Sequence, residues 1–279
     1  MRPPDELRGL VEERLGELPF AAELGELEEA LRYSLLGGGK RIRPVVCLAT
    51  GEALGRQPDE LLPAACALEL VHTFSLVHDD LPPLDNDELR RGQPSAHVRF
   101  GEGVAILAGD ALLTEAFRLA LAYASPEVGR VLADATLGMI GGQYLDVTTD
   151  GDLDPDALAR LHRLKTGRLL AACVEAPLAV AGVDERGRAP WRAFADELGL
   201  LFQIVDDVLD ATGTTEELGK TPGKDEATGK ATYVSLFGLE RARELADETR
   251  ARVSERLGAL PAETAVLAEL VETIRDRRA

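Results

Sequence analysis

The chain has 279 residues, of which 45% are hydrophobic and only 4% aromatic, with a formal net charge of −18 at pH 7. So acidic a composition argues against nucleic acid as a partner and against broad adsorption to anionic lipid. No apolar run reaches the roughly 18 residues needed to span a bilayer, and the start, Met1-Arg2-Pro3-Pro4-Asp5-Glu6, lacks the apolar centre of a secretory signal.

The cytoplasm is therefore the expected compartment. Ala and Leu dominate the apolar residues, which favours packed helices over sheets. Along the chain, Leu24, Leu27, Leu31 and Leu35 recur at three- and four-residue steps, the period of one helical face. Gly37-Gly38-Gly39 ends that helix, and Pro44 fits the first turn of the next, where its missing N–H costs nothing. The spacing then predicts a long apolar helix over 59–81, closed by Pro82-Pro83. Further helices are expected over 102–124, 127–149, 155–181, 188–212, 232–257 and 262–277. Strand signals are nearly absent. Two polar connectors, Pro82 to Ser95 and Ala211 to Lys230, interrupt the pattern, and no composition shift divides 1–279 into separate domains. The expectation is an all-α, single-domain helical bundle. Cys47, Cys66 and Cys173 are widely spaced in apolar surroundings and read as buried thiols.

Two acidic clusters stand against this background: Asp79-Asp80-Leu81-Pro82-Pro83-Leu84-Asp85 and Asp206-Asp207-Val208-Leu209-Asp210. Each follows an apolar helical stretch, where unpaired carboxylates are costly. Hard oxygen ligands suit Mg²⁺, which takes one or two carboxylates and fills its shell with water and substrate phosphates. At 100° per residue, Asp206, Asp207 and Asp210 fall on one helical face. Asp79 and Asp85 would diverge on a straight helix, but Pro82-Pro83 breaks it, and a bulge there can return Asp85 to the side of Asp79.

Basic residues are scarce enough to be informative. Lys40, Arg43 and His72 form one candidate phosphate-binding group, Arg90 and Arg91 follow the first acidic cluster, and Lys220, Lys224 and Lys230 follow the second. The planar fork of Arg donates two parallel hydrogen bonds to phosphate. His78 reads as a core residue, and His97 and His162 carry no assigned role.

Gly38-Gly39-Lys40-Arg41-Ile42-Arg43-Pro44, His78-Asp79-Asp80 through Asp85, Arg90-Arg91-Gly92, Gly141-Gly142-Gln143, Lys165-Thr166-Gly167, Phe202 to Asp210, Gly219-Lys220, Gly223-Lys224-Asp225 and Gly229-Lys230 occur in that order. This set strongly resembles the trans-isoprenyl diphosphate synthases, in particular bacterial farnesyl and geranylgeranyl diphosphate synthases, over about residues 20–250. The resemblance implies an all-α fold around a deep central cavity, usually homodimeric, using three Mg²⁺ ions. It implies Asp79, Asp85 and Asp206 as direct metal ligands with Asp80, Asp207 and Asp210 in support. It implies Arg90, Lys165, Lys220 and Lys230 as holders of the allylic diphosphate. Lys40, Arg43, His72 and Arg91 then hold isopentenyl diphosphate, with Gln203 and Thr166 at the reacting centre. Asn86 departs from many relatives, which have Asp there, and Arg277-Arg278 resembles a basic tail that closes over the site.

Those residues predict a carbocation reaction: the diphosphate leaves an allylic carbon, the double bond of isopentenyl diphosphate attacks, and a proton is lost in a dry, apolar cavity. The product is expected to lengthen down the 59–81 helix. Phe74 lies about 7–8 Å before Asp79 at 1.5 Å per residue, where the resemblance implies an aromatic floor that stops growth near fifteen carbons. Ideal helical phase puts Ser75 nearer the face of Asp79 than Phe74. Farnesyl diphosphate is the expected product and geranylgeranyl diphosphate the alternative. A terpene cyclase and a non-catalytic subunit of a heteromeric synthase are the rival readings, disfavoured because both Asp-rich clusters and the Lys40–Arg43 group are intact.

Overall fold

The computed structural model describes residues 1–149, 153–213 and 230–275. In chain order the helices are α1 (Pro4–Gly16), α2 (Leu27–Leu36), α3 (Ile42–Ala53), α4 (Pro58–Asp79), α5 (Ala96–Phe100), α6 (Glu102–Ala120), α7 (Glu127–Thr148), α8 (Pro155–His162), α9 (Arg168–Val180), α10 (Glu185–Thr212), α11 (Tyr233–Phe237), α12 (Leu239–Gly258) and α13 (Ala265–Arg275). Among the described residues the only strands are β1 (Leu89–Arg90) and β2 (Gln93–Pro94), an antiparallel pair beside the first acidic cluster. The fold is all-α, as expected.

The centre of the bundle is α4, which packs against α6, α3 and α9. Gln57 and Glu60 close a reciprocal capping box at its start, satisfying amides that have no partner within the helix. One turn later the Tyr123 hydroxyl enters the ladder, donating to the Glu60 carbonyl at 2.9 Å and accepting from the Ala64 amide at 3.1 Å. Leu61, Leu68 and Leu70 are fully buried, each contributing about 2 kcal/mol of transfer free energy. This helix corrects one sequence expectation. It is long and apolar enough to cross a bilayer, but 67% of that stretch is buried against the other helices, so it is a core helix.

Beyond shifts of a few residues at other helix ends, such as α6 closing at Ala120 rather than 124, three departures stand out. First, α4 stops at Asp79, two residues early, because the chain folds back on the helix end. Second, the helix expected over 155–181 is divided by a π-helical turn, Arg163–Gly167, a form frequent at functional sites. That turn is wedged between α7 and α10. A Cβ on Gly142 would lie 2.3 Å from the Lys165 amide nitrogen, and one on Gly199 would lie 3.1 Å from the Gly167 Cα. The two glycines let the turn approach both helices. Third, Gly238, at φ +82°, separates α11 from α12 within the helix expected over 232–257. The three cysteines are buried free thiols, as expected. Burial pushes Cys66 and Cys173 up to about 12 and Cys47 well above its ordinary value, so none supplies a thiolate at neutral pH.

Candidate active site

At the end of α4 the backbone turns on itself. The Asp85 amide donates to the Asp79 carbonyl at 2.8 Å, the Asp87 amide to the Asp80 carbonyl at 3.1 Å, and the Asn86 amide to the Leu81 carbonyl at 3.1 Å. Asn86 takes the left-handed conformation, at φ 48°, which Asn tolerates better than most side chains. The fold-back returns Asp85 to the side of Asp79, where each carboxylate feels the other. Asp79 is pushed up to about 6, first by burial and then by Asp85 and Asp80, while Lys165 and Arg90 oppose the rise. Asp80 is only 2% exposed. Its two oxygens accept from Arg90 Nε at 3.1 and 3.2 Å, with a further short contact from Arg90 Nη2. Asp87 approaches the same guanidinium at 3.4 Å.

The second cluster is less uniform than helical phase suggested. Asp206 is exposed, but Asp207 is 5% exposed and turned into the fold. Its Oδ1 accepts from Gln203 Nε2 at 2.7 Å and its Oδ2 from the Tyr233 amide at 2.7 Å. The 100° step from Asp206 carries Asp207 toward α8 and α11. Gln203 Oε1 in turn accepts from Thr166 Oγ1 at 2.7 Å, so a polar relay runs from the π turn through α10 to the start of α11. His162 stacks on Tyr233 at 5.5 Å and lies 3.8 Å from Asp207 Oδ2. Burial lowers its pKa to about 4, so it is neutral. Asp210 is also buried.

A residue that the sequence reading did not single out joins the two halves. Asp146, on α7, accepts from Lys165 Nζ at 2.5 Å and lies 3.6 Å from Lys230 Nζ. Lys230 Nζ also donates to Asp85 Oδ1 at 2.7 Å. Charges thus alternate Lys165–Asp146–Lys230–Asp85 from the π turn to the first cluster. The available signal was the spacing Gly142-Gln143-Tyr144-Leu145-Asp146, which puts Gln143 and Asp146 one turn apart. Both polar atoms of the Gln143 amide are buried without a hydrogen-bond partner among the described residues. Lys220, Lys224, Arg277 and Arg278 lie outside the described residues.

The basic group at the end of α2 is assembled by backbone geometry. Lys40 is exposed. Arg43 Nη1 is 3.4 Å from His72 Nε2, and its guanidinium lies over the Phe202 ring at 5.3 Å. Arg91 Nη1 donates to the Gly38 carbonyl. Gly39 takes φ +130°, which favours glycine, and a Cβ there would meet the Arg91 guanidinium at 2.9 Å and displace it. Burial, then Arg43 and Arg91, holds His72 well below its ordinary pKa. Arg41 points the other way. Its buried guanidinium donates to Glu69 at 2.7 Å, Glu12 at 2.9 Å and the Leu35 carbonyl at 2.6 Å. Arg41 therefore anchors the turn that presents Lys40 and Arg43. Lower on α4, Ser75 Oγ donates to the His72 carbonyl, and Phe74 is buried with its ring edge-on to His78.

The donor set fits a hard divalent cation. Burial, and then the neighbouring Asp85, raises the proton affinity of Asp79, a condition that added positive charge relieves. No three His, Cys, Asp or Glu side chains among the described residues converge into a ready-made ion site. An ion here would need oxygens from a bound diphosphate as well.

A family model described as polyprenyl synthetase matches residues 25–274. The heterodimeric geranylgeranyl pyrophosphate synthase large subunit 1, chloroplastic, of Arabidopsis thaliana is 46% identical over 247 residues, spanning 83% of this chain and 67% of its own. The geranylgeranyl diphosphate synthase of Cyanophora paradoxa is 45% identical over 229 residues, 77% of this chain and 75% of its own. Among solved structures, a geranyltransferase from Helicobacter pylori, complexed with magnesium and isoprenyl diphosphate, superposes with a TM-score of 0.87. It is 35% identical and spans 97% of this chain and 94% of its own.

Proposed function

The chain belongs to the polyprenyl synthetase family and is a trans-prenyltransferase, and from that premise we propose that it condenses isopentenyl diphosphate with allylic diphosphates head-to-tail, ending at geranylgeranyl diphosphate. The observation that carries the reaction is the alternation Lys165–Asp146–Lys230–Asp85, which places two ammonium groups beside the first acidic cluster. Support for the twenty-carbon product comes from the names of the relatives from Arabidopsis and Cyanophora. One observation favours farnesyl diphosphate instead: the buried Phe74 ring lies one and a half turns before Asp79 on α4.

Asp79, Asp85 and Asp206 would hold Mg²⁺, three ions by the family resemblance, and the H. pylori neighbour is named with magnesium. When bound, the metal would supply positive charge to offset the charge developing on the diphosphate as the allylic C–O bond breaks. Lys165 and Lys230 exchange their carboxylate partners for diphosphate oxygens. Arg90, held by Asp80, adds a fixed positive charge, and Lys220 joins this group. Lys40, Arg43 and Arg91 grip isopentenyl diphosphate, with neutral His72 donating a hydrogen bond. Gln203 and Thr166 sit at the reacting centre, fixed by Asp207. Asp210 supports the second cluster from within α10. The double bond attacks the allylic cation, and the proton lost passes to the released diphosphate. Exclusion of water protects the cation.

The enzyme acts as a homodimer. Val104 and Leu107 on α6, and Leu137, Ile140 and Tyr144 on α7, are exposed apolar side chains, Leu137 at 68% and Tyr144 at 64%, which a second copy would cover. Its proposed compartment is the cytoplasm; the Arabidopsis relative is chloroplastic by name, and fractionation of cells expressing the tagged full chain distinguishes the two.

The test is incubation of the purified full chain with labelled isopentenyl diphosphate, Mg²⁺ and dimethylallyl, geranyl or farnesyl diphosphate, followed by product chromatography. Linear twenty-carbon product supports the proposal, and accumulation at fifteen carbons selects the second reading. Cyclic hydrocarbons, or silence with every primer, overturn it.

A further inference from the structure

On α4, Phe74 and His78 are four residues apart and so share a face. Their rings meet edge-on, with centroids 4.9 Å apart and planes at 73°. The His78 imidazole is held on its other side by α6. Nε2 lies 3.0 Å from the Ile106 carbonyl, and since a carbonyl only accepts, Nε2 carries the proton in that contact. Asp110 Oδ1 is 3.9 Å from the same nitrogen. Beneath the ring is Gly109. A Cβ built there would stand 2.2 Å from Nε2 and 2.4 Å from Cδ2, distances that no real contact reaches. The absence of a side chain at 109 is thus what allows the imidazole to settle onto α6, and the imidazole is what Phe74 leans on.

We infer that Gly109 and His78 determine product length: the His78 ring, seated on Gly109, sets how far the Phe74 ring stands into the path of the growing prenyl chain. The inference rests on the proposed elongation reaction and on Phe74 limiting it. Phe74 cannot absorb a push by retreating, because it is embedded in the apolar core around α4 and interiors are close-packed. A methyl group at 109 therefore moves the imidazole toward Phe74 and advances the Phe74 ring, shortening the product. Removing the imidazole leaves a vacancy into which Phe74 relaxes, lengthening it.

Four variants separate the possibilities: Gly109→Ala, His78→Ala, the double variant and Phe74→Ala. Each is assayed with labelled isopentenyl diphosphate and geranyl diphosphate, and its folding is checked by circular dichroism. Gly109→Ala is expected to raise the ratio of the next-shorter product to the wild-type product at least threefold, and His78→Ala to shift it the other way. The double variant should match His78→Ala, since the added methyl then has no ring to displace; a purely structural lesion at 109 would not vanish in that background. Should Gly109→Ala fail to fold, His78→Ala alone decides. A folded Gly109→Ala or His78→Ala with the wild-type distribution, beside a lengthened Phe74→Ala, overturns this inference and leaves the Phe74 limit standing. An unchanged Phe74→Ala overturns both. No elongation by the wild type overturns the proposed reaction itself.

Discussion

The ammonium of Lys230 lies 2.7 Å from Oδ1 of Asp85, although 145 residues separate them. This contact ties the residue that opens the segment before α11 to the acidic fold-back after α4. Asp146, within 3.6 Å of the same ammonium, makes Lys230 the link between the first cluster and α7.

If Lys230 transfers from Asp85 to the substrate diphosphate, Lys230→Gln lowers kcat/KM for the allylic substrate by about 10²–10³-fold, the scale of losing one preorganised charge donor. Lys230→Arg retains part of the activity. Steady-state kinetics with each substrate varied in turn checks this. A fall confined to isopentenyl diphosphate would place Lys230 on the wrong diphosphate.

Asp79, buried and beside Asp85 with its pKa pushed up to about 6, gains from a nearby cation. Asp79→Asn should reduce kcat by at least about 10³-fold, in keeping with the several kcal/mol that a catalytic metal supplies. A chelator should abolish wild-type turnover and added Mg²⁺ restore it. An Asp79→Asn enzyme with wild-type kcat and Mg²⁺ dependence would remove Asp79 from the ligand set.

Arg41 and Glu69 form a fully buried ion pair at 2.7 Å. Removing Glu69 leaves the buried Arg41 guanidinium only the partly exposed Glu12 carboxylate and the Leu35 carbonyl. Glu69→Ala is expected to cost about 3 kcal/mol, the low end for breaking a buried pair, visible as a lower melting temperature by circular dichroism. Replacing both, Arg41→Met with Glu69→Leu, should recover much of that stability while raising KM for isopentenyl diphosphate, because the turn carrying Lys40 and Arg43 loses its anchor. A melting temperature unchanged by Glu69→Ala would contradict this account.

His162 predicts a pH dependence. Its pKa is about 4 in the fold against roughly 6.5 unfolded. Between those values the unfolded chain binds the extra proton, so this contribution is complete above pH 6.5 and is lost as pH falls toward 4. At about 1.36 kcal/mol per pKa unit, the loss is on the order of 3 kcal/mol. Asp79 acts in the opposite sense, since its pKa is raised to about 6 and its penalty grows as pH rises through that range. Comparing wild type with His162→Phe cancels the Asp79 effect. On going from pH 7 to pH 5 the denaturant midpoint of the wild type should fall relative to that of the variant, and equal pH slopes would refute the assignment.

Much of this protein was legible in the chain itself. Three- and four-residue apolar steps give the helices, Pro82-Pro83 forces a break within the first acidic cluster, and the ordered motifs identify the family. These are local properties: helical period, a missing backbone donor, a carboxylate beside an apolar run. What faces what was not legible. Helical phase groups Asp207 with Asp206 and Asp210, but the Tyr233 amide and Gln203 draw Asp207 inward. Asp146 looked like any surface carboxylate until the π turn brought Lys165 to it, and Gly109 like any helical glycine until His78 occupied its space. Sequence period fixes a side chain's direction about its own helix axis; the charge and shape it meets come from elements distant in the chain, and only packing brings those together.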